Sequence, residues 1–231
     1  MIWVTRTHVG LVRLLNEDTV FADTPLYGVA DGMGGHNAGE VASRLAADRM
    51  MERLHGKEPS QELMKAALID VNRAVFSEQV SHQEYSGMGT TLTVLWEGET
   101  NVYLGHIGDS RAYLLRDGSL SQVTRDHSLV QEMVSQGLIT REEALVHPYR
   151  NVITRAVGTD PYVESDCLTL EKSKGDIWLL CSDGLSNFVS DEVIERTLKE
   201  QALDPAADTL LQTALQNGGR DNISLLIAEV S

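Results

Sequence analysis

Two short segments of the sequence share one plan: an apolar run, then Asp, then Gly. They are Val29-Ala30-Asp31-Gly32 and Cys181-Ser182-Asp183-Gly184. A carboxylate where a buried strand leaves its sheet points off the sheet's end. The glycine after it lets the chain turn sharply and bring a backbone carbonyl near a bound cation. Asp-Gly is also the commonest hairpin turn, so a single instance carries little weight. Two instances, each after a buried run and neither followed by a pairing strand, weigh against turns alone. Asp18, closing Arg13-Leu14-Leu15-Asn16-Glu17-Asp18, and Asp221, in Gly218-Gly219-Arg220-Asp221-Asn222, stand in comparable settings beside apolar segments. Four or five carboxylates drawn together without a counter-charge would cost several kcal/mol per desolvated ion. Oxygen-only ligands with no cooperating His or Cys select Mg²⁺ or Mn²⁺ over zinc. Two such ions about 3.5–4 Å apart could share a water and clamp an in-line phosphoryl transfer. Arg13 is placed to fork a phosphate, because a guanidinium binds two phosphate oxygens at once. Its plain alternative is a surface arginine paired with a nearby glutamate.

The elements that must hold these residues alternate in blocks rather than in βαβ units. Leu26 to Ala30 reads as a buried strand stopped by Asp31-Gly32. Beyond Gly34-Gly35, Val41, Ala42, Leu45, Ala46 and Leu54 share one helical face. A second helix follows Pro59-Ser60, with Leu63, Ala67, Leu68, Val71 and Val75 on its stripe. Strands are expected over Thr90 to Trp96, Val102 to Ile107, Ala112 to Leu115 and Leu120 to Val123, with Asp117-Gly118 as a hairpin turn. Residues 128–157 break the rhythm with a helical stretch and the capping box Thr140-Arg141-Glu142-Glu143. Strand character returns at Ile177 to Ser182. Two helices follow, one from about Asp191 and one with Asp204 as N-cap and Pro205 at its first position, before a last strand from Ile223 to Val230. Short strands joined by tight turns imply antiparallel pairing. Two helix pairs and two strand batches predict an α+β layered sandwich.

Composition bounds the rest. A chain of 231 residues, 42% hydrophobic, can bury a full core, and no linker, repeat or low-complexity run divides it; a single domain over 1–231 is expected. The longest apolar runs, Ile177 to Cys181 and Ile223 to Ala228, are strand-length, far short of the roughly 20 residues that span a bilayer. No apolar signal core follows Met1, so a cytoplasmic protein is expected. A net charge of −15 repels phosphate backbones and anionic lipid, which argues against nucleic-acid and membrane partners. Cys167 and Cys181 fit no zinc spacing and read as reduced, packed thiols. Neither has an Arg six positions on, so a cysteine-nucleophile phosphatase is excluded.

Six motifs occur in order: Arg13-x-x-Asn16-Glu17-Asp18, Asp31-Gly32-Met33-Gly34-Gly35-His36, Gly89-Thr90-Thr91, Gly108-Asp109-Ser110-Arg111, Ser182-Asp183-Gly184 and Gly219-x-Asp221-Asn222. Each alone is weak. Together, across essentially the whole chain, they resemble the metal-dependent protein serine/threonine phosphatases of the 2C type, in their compact bacterial form. The resemblance implies a four-layer αββα sandwich, two central antiparallel sheets flanked by helix pairs. It implies that Asp31 bridges two Mn²⁺ or Mg²⁺ ions and that Gly32 lends its carbonyl to one. Asp183 and Asp221 would complete one ion's shell, and Asp18 and Glu17 would serve the other, partly through water. Arg13 would hold the substrate phosphate. Asp126, in Arg125-Asp126-His127, matches a ligand of a third ion, and residues 128–157 match a variable flap beside the site. Where part of the family has His directly after Asp-Gly, this chain has Met33; the general acid is therefore His36 or a metal-bound water. Asp109-Ser110-Arg111 reads as structural, and His127 and His147 likewise. The implied activity is hydrolysis of phosphoserine and phosphothreonine in proteins, by a monomer that counteracts a Ser/Thr kinase.

Other chemistries fit less well. A serine hydrolase built on Gly108-Asp109-Ser110 needs a His base, typically late in the chain, and no histidine follows His147. A catalytically dead binding module predicts a lost metal aspartate, yet Asp18, Asp31, Asp183 and Asp221 all stand. No Gly-rich loop with Lys marks a nucleotide site.

Overall fold

The computed structural model describes residues 1–34 and 38–231. Eleven strands and seven α-helices follow one another as β1 (Ile2–His8), β2 (Asp18–Asp23), β3 (Leu26–Met33), α1 (Gly39–Leu54), α2 (Gln61–Ser81), β4 (Gly89–Thr90), β5 (Leu92–Glu97), β6 (Asn101–Ile107), β7 (Arg111–Arg116), β8 (Ser119–Gln122), α3 (Leu129–Ser135), α4 (Arg141–Leu145), β9 (Asp166–Glu171), β10 (Ile177–Cys181), α5 (Asp183–Ser186), α6 (Asp191–Glu200), α7 (Leu203–Gln216) and β11 (Ile223–Glu229). The strands form two antiparallel sheets, ordered β1-β11-β10-β7-β8 and β2-β3-β5-β6-β9, with β4 beside β3.

Three layers of apolar contact hold four layers of structure. Along β11, Leu226 and Ala228 point between the sheets toward Tyr27, Leu104 and Trp178. The alternate residues Leu225 and Ile227 point outward onto Ile194, Leu198 and Leu210 of α6 and α7. With both faces buried, the strand has no polar side, which is why it reads as one continuous apolar run. On the other sheet, Leu92, Val94 and Trp96 of β5 pack under Met50 and Leu54 of α1 and Met64 and Leu68 of α2. The expected αββα sandwich is therefore the observed one.

Local chemistry agrees with the elements at most ends. Ser60 caps α2 by accepting from the Leu63 amide at 3.2 Å, and Thr140 with Glu143 closes the capping box. Asp117 and Gly118 both take positive φ (52° and 73°), the turn that joins β7 to β8. Three details differ from expectation. β3 runs on through Asp31 and Gly32 to Met33, because β4 supplies a partner there (Gly32↔Thr90). On α2 it is Met64, not Leu63, that faces the core; Leu63 is exposed, one step off the stripe. Finally, α7 begins at Leu203 and Asp204 does not cap it. Arg6 of the neighbouring strand takes the Asp204 carboxylate at 2.8 Å instead. Among the described residues no helix is long and apolar enough to cross a membrane.

Candidate metal and phosphate site

Every carboxylate singled out as a metal ligand lies at one end of the two sheets, Asp126 at the margin beside Arg111, which stands opposite Cys181. Asp18 opens β2 and stands directly opposite Asp31 of β3 in the strand register. Asp183 leaves β10, Asp221 precedes β11, and the loop from Val9 to Glu17 carries Arg13 between β1 and β2. Two glycines make this convergence possible. A Cβ on Gly32 would sit 2.1 Å from the Gly39 carbonyl oxygen and 2.5 Å from that of Glu17. A Cβ on Gly184 would sit 1.9 Å from the Asn222 oxygen. Neither approach tolerates a side chain.

The carboxylates press on one another. Asp31 lies close to both Asp18 and Asp183, near enough for each charge to bear on the others. Burial, then the negative charges of Asp18, Asp183, Asp109 and Asp221, holds Asp31 well above the usual carboxylate range. Burial likewise pushes Asp183 up to about 8, with Asp109, Asp221 and Asp18 adding like charge. Asp18 is raised to about 6, again chiefly by burial, against the hydroxyl hydrogen bonds it receives. One of these is donated by Ser182 Oγ to Asp18 Oδ2 at 2.8 Å. The other oxygen, Oδ1, is buried without a partner.

An orphaned buried oxygen amid oxygen-only donors fits a hard divalent cation, as does a group of acids that cannot all ionise unaided. Among the described residues no three His, Cys, Asp or Glu side chains stand in finished ligand geometry. Asp18 is bonded instead by Ser182, Asp183 by Asn187 and Asp221 by Arg13.

Around this centre the remaining residues fall on different sides. Arg13 Nη2 donates to Asp221 Oδ2 at 2.8 Å, with half of its side chain open to solvent, so the guanidinium sits at the rim of the cluster. The Glu17 carboxylate lies against Gly39 at the start of α1; burial and the nearby Glu40 raise its pKa while Arg13 opposes them. The Glu17 amide is held by Asn222 Oδ1 at 2.8 Å. Asp126 stands beside the cluster rather than in it. Both of its oxygens are taken by Arg111 (2.7–3.1 Å), and Gln122 adds a further donor at 2.9 Å. The acid that does face Asp31 and Asp183 from this direction is Asp109, buried and raised to about 7 by desolvation and the nearness of Asp126. Within Gly108-Asp109-Ser110-Arg111 the structural reading suits Arg111, which locks Asp126, and Ser110, which bonds Thr91 at 2.7 Å. It does not cover Asp109. His36 lies outside the described residues. His127 is buried and tied to Gly108 and Asp166, and His147 caps a turn at the Tyr149 amide.

Residues 128–157 hold α3 and α4 and are fastened to the sandwich at both ends. Thr154 N donates to the His127 carbonyl at 2.8 Å, and Val157 exchanges two backbone bonds with Thr90. Thr90 Oγ1 in turn donates to the Asp31 carbonyl at 2.9 Å, so this segment's exit is two bonds from the central aspartate.

A family model described as protein phosphatase 2C matches residues 14–224. The serine/threonine protein phosphatase PstP of Mycobacterium tuberculosis is 44% identical over 231 residues, covering 99% of this chain but 45% of that protein. The chain thus spans about half the length of that relative. The serine/threonine phosphatase stp of Listeria monocytogenes is 39% identical, covering 97% of this chain and 94% of its own. Among solved structures, the catalytic domain of PstP in complex with two manganese ions superposes with a TM-score of 0.91 at 41% identity, covering 100% of this chain and 98% of that one. With a family match over most of its length and relatives this similar, the chain belongs to the protein phosphatase 2C family.

Proposed function

We propose that the chain is a Mn²⁺- or Mg²⁺-dependent protein phosphatase that hydrolyses phosphoserine and phosphothreonine in proteins. The observation that carries this reading is the convergence of Asp18, Asp31, Asp183 and Asp221 at one sheet end, with Arg13 bonded to the last of them at 2.8 Å. The similarity to named serine/threonine phosphatases supports it, one of them seen with two manganese ions. Asp31, Asp183 and Asp221 would hold one ion and Asp31, Asp18 and Glu17 the other; Asp109, rather than Asp126, is the remaining acid within reach. Such ions supply an activated water and neutralise charge on the transferring phosphoryl group.

The chain's own residues do the rest. Ser182 orients Asp18 through its hydroxyl, leaving Oδ1 free to bind. Arg13 can swing one edge of its guanidinium to a phosphate while its other edge keeps Asp221, so the phosphate is drawn to the metal-binding rim. The buried floor of the site, made by Thr90, Thr91 and Ser110, holds Asp31 by bonds to its backbone amide and carbonyl and keeps its carboxylate from turning away. Proton donation to the leaving serine oxygen falls to His36 or to solvent at the metals. Phosphorylated proteins, and through them a Ser/Thr kinase acting in the opposite sense, are the partners this reading implies.

The test is phosphopeptide hydrolysis by the purified protein with Mn²⁺, with EDTA, and after Asp183→Ala. Loss of phosphate release in both EDTA and the variant is expected. Activity that survives both overturns the mechanism.

A further inference from the structure

The loop that carries Arg13 exposes more hydrocarbon than a surface loop needs. Leu11, Val12, Leu14 and Leu15 are 65%, 64%, 97% and 48% exposed. They flank Arg13 on both sides in the chain, four exposed aliphatic side chains within two residues of the guanidinium-bearing position. The exposure does not come from slackness. Asn222, itself buried, clamps the loop: its Nδ2 donates to the carbonyls of Val9 (3.0 Å) and Leu15 (2.8 Å), and its Oδ1 accepts from the Glu17 amide (2.8 Å). The Leu11 amide donates to the Gly219 carbonyl at 2.6 Å, and Asn16 Nδ2 to Thr7 Oγ1 at 2.7 Å. A loop held this firmly presents its aliphatic side chains to water by construction, and exposed apolar side chains clustered in one loop beside a binding group mark a contact surface.

We propose that this loop is an apolar lip that receives the substrate polypeptide beside its phosphorylated residue. The preferred substrates then carry a large apolar side chain within two positions of the phosphoserine or phosphothreonine. The proposal rests on the phosphatase reading, with Arg13 as the phosphate anchor. Val12 and Leu14 adjoin Arg13, and an extended peptide advances about 3.3 Å per residue. When the phosphate meets Arg13, the residues one or two places away lie over the lip. The charge balance points the same way. A protein of net charge −15 repels an anionic phosphopeptide at long range, so short-range apolar contact is the attraction it can add without altering that charge.

The experiment uses two phosphopeptides of equal charge that differ only in Leu or Ser on either side of the phosphoserine. p-Nitrophenyl phosphate, which has no polypeptide, serves as the control for folding and metal loading. All three are assayed with Mn²⁺ on the wild type and on the double variant Val12→Ser, Leu14→Ser. The wild type is expected to favour the Leu-flanked peptide by about tenfold in kcat/KM, mostly through KM, because the contact is made equally in ground and transition states. The variant should bring the two peptides close to parity with p-nitrophenyl phosphate hydrolysis unchanged. Equal wild-type rates on the two peptides, or a preference that survives in the variant, overturn the lip. Hydrolysis of p-nitrophenyl phosphate but of neither peptide overturns the protein-phosphatase reading and the lip with it. A dimer in sedimentation that dissociates in the variant, with peptide preference unaltered, assigns the patch to a second copy of this chain and overturns the proposal.

Discussion

Arg13 and Asp221, 208 positions apart in the chain, are joined by a 2.8 Å ion pair at the rim of the carboxylate cluster. The pair couples the group that would take the phosphate to one that would take a metal. Because the Arg13 side chain is half open to solvent, the pair adds little to stability, about 0–1 kcal/mol. Its value lies in holding the guanidinium over the site. Arg13→Lys keeps the charge but loses the planar fork, so kcat/KM toward a phosphopeptide should fall about tenfold or more, with the melting temperature nearly unchanged. Steady-state kinetics alongside a thermal melt checks this; a large drop in melting temperature would give Arg13 a structural role instead.

Metal binding should stabilise the protein, and more so as pH rises. Asp18 and Asp183 have folded pKa values near 6 and 8, above an unfolded value near 3.8. A carboxyl raised in the fold binds more protons folded than unfolded, so without metal its contribution is retained at low pH. That contribution is lost as pH climbs through the folded value. A divalent cation neutralises the same charges. The rise in melting temperature on adding Mn²⁺ should therefore grow between pH 6 and pH 8. Asp183→Asn, which deletes one charge, should melt higher than wild type in EDTA at pH 8 and gain less from Mn²⁺. Scanning fluorimetry at the two pH values reads both effects.

What could be read in the sequence divides along physical lines. Asp31 and Asp183 were legible because a buried apolar run followed by Asp-Gly is a local pattern, and the sandwich because its strands and helix stripes are local too. The role of Asp109 was not: within Gly108-Asp109-Ser110-Arg111 it looks like turn chemistry, and only the fold aims it at Asp31. Asp126 was drawn into the site by its match to a motif, whereas the fold gives it to Arg111, which reaches it across the β7–β8 hairpin. Asp204 had the setting of a helix cap, but Arg6, 198 positions away, competes for it. The Asn222 clamp was equally hidden, since its partners are backbone groups with no side-chain signature. Long-range polar pairings of this kind leave no periodicity to find.

Removing that clamp should damage the site without touching a charged residue. Asn222→Ala leaves the carbonyls of Val9 and Leu15 and the Glu17 amide without their partner, at about 1–3 kcal/mol for each that stays buried and dry. Stability is expected to fall by about 2–4 kcal/mol in urea melts. Phosphopeptide KM should rise in the fraction that folds, because both Arg13 and Glu17 hang from this loop. An unchanged KM would mean the loop holds its shape without Asn222.

Gly184 sets a sharper limit. A methyl there meets the Asn222 oxygen at 1.9 Å, where backbone faces backbone and no side chain can move aside. Gly184→Ala must displace either Asp183 or the segment preceding β11, both of which carry metal-binding candidates. The expected result is a loss of at least about 3 kcal/mol of stability and of Mn²⁺-dependent activity together. Near-native melting with full activity would show that the β10 and β11 ends can part without consequence.

Acid stability is governed by His106. The ring is buried between the sheet and His127, whose centroid lies 4.8 Å away. Its Nδ1 bonds Thr93 Oγ1 at 2.9 Å and its Nε2 lies 3.1 Å from the Arg125 carbonyl. A carbonyl only accepts, so Nε2 carries the proton; in the neutral ring that burial favours, Nδ1 accepts from the Thr93 hydroxyl, whose other acceptor is the Ser110 carbonyl at 3.2 Å. Burial, then the neighbouring His127, pushes its pKa down from 6.5 to about 4. A histidine lowered in the fold binds fewer protons folded than unfolded across that interval. Its stabilising effect is thus complete above pH 6.5 and drains away as pH falls toward 4, by about 3 kcal/mol in all. The raised aspartates act with the opposite sign in the same window, so the comparison must isolate the histidine. His106→Gln, which can still donate to the carbonyl and accept from Thr93, should lose less stability than wild type between pH 7 and pH 4.5, both measured by urea unfolding with Mn²⁺ present. Parallel losses in the two proteins would show that His106 does not set the acid limit and that proton uptake elsewhere does.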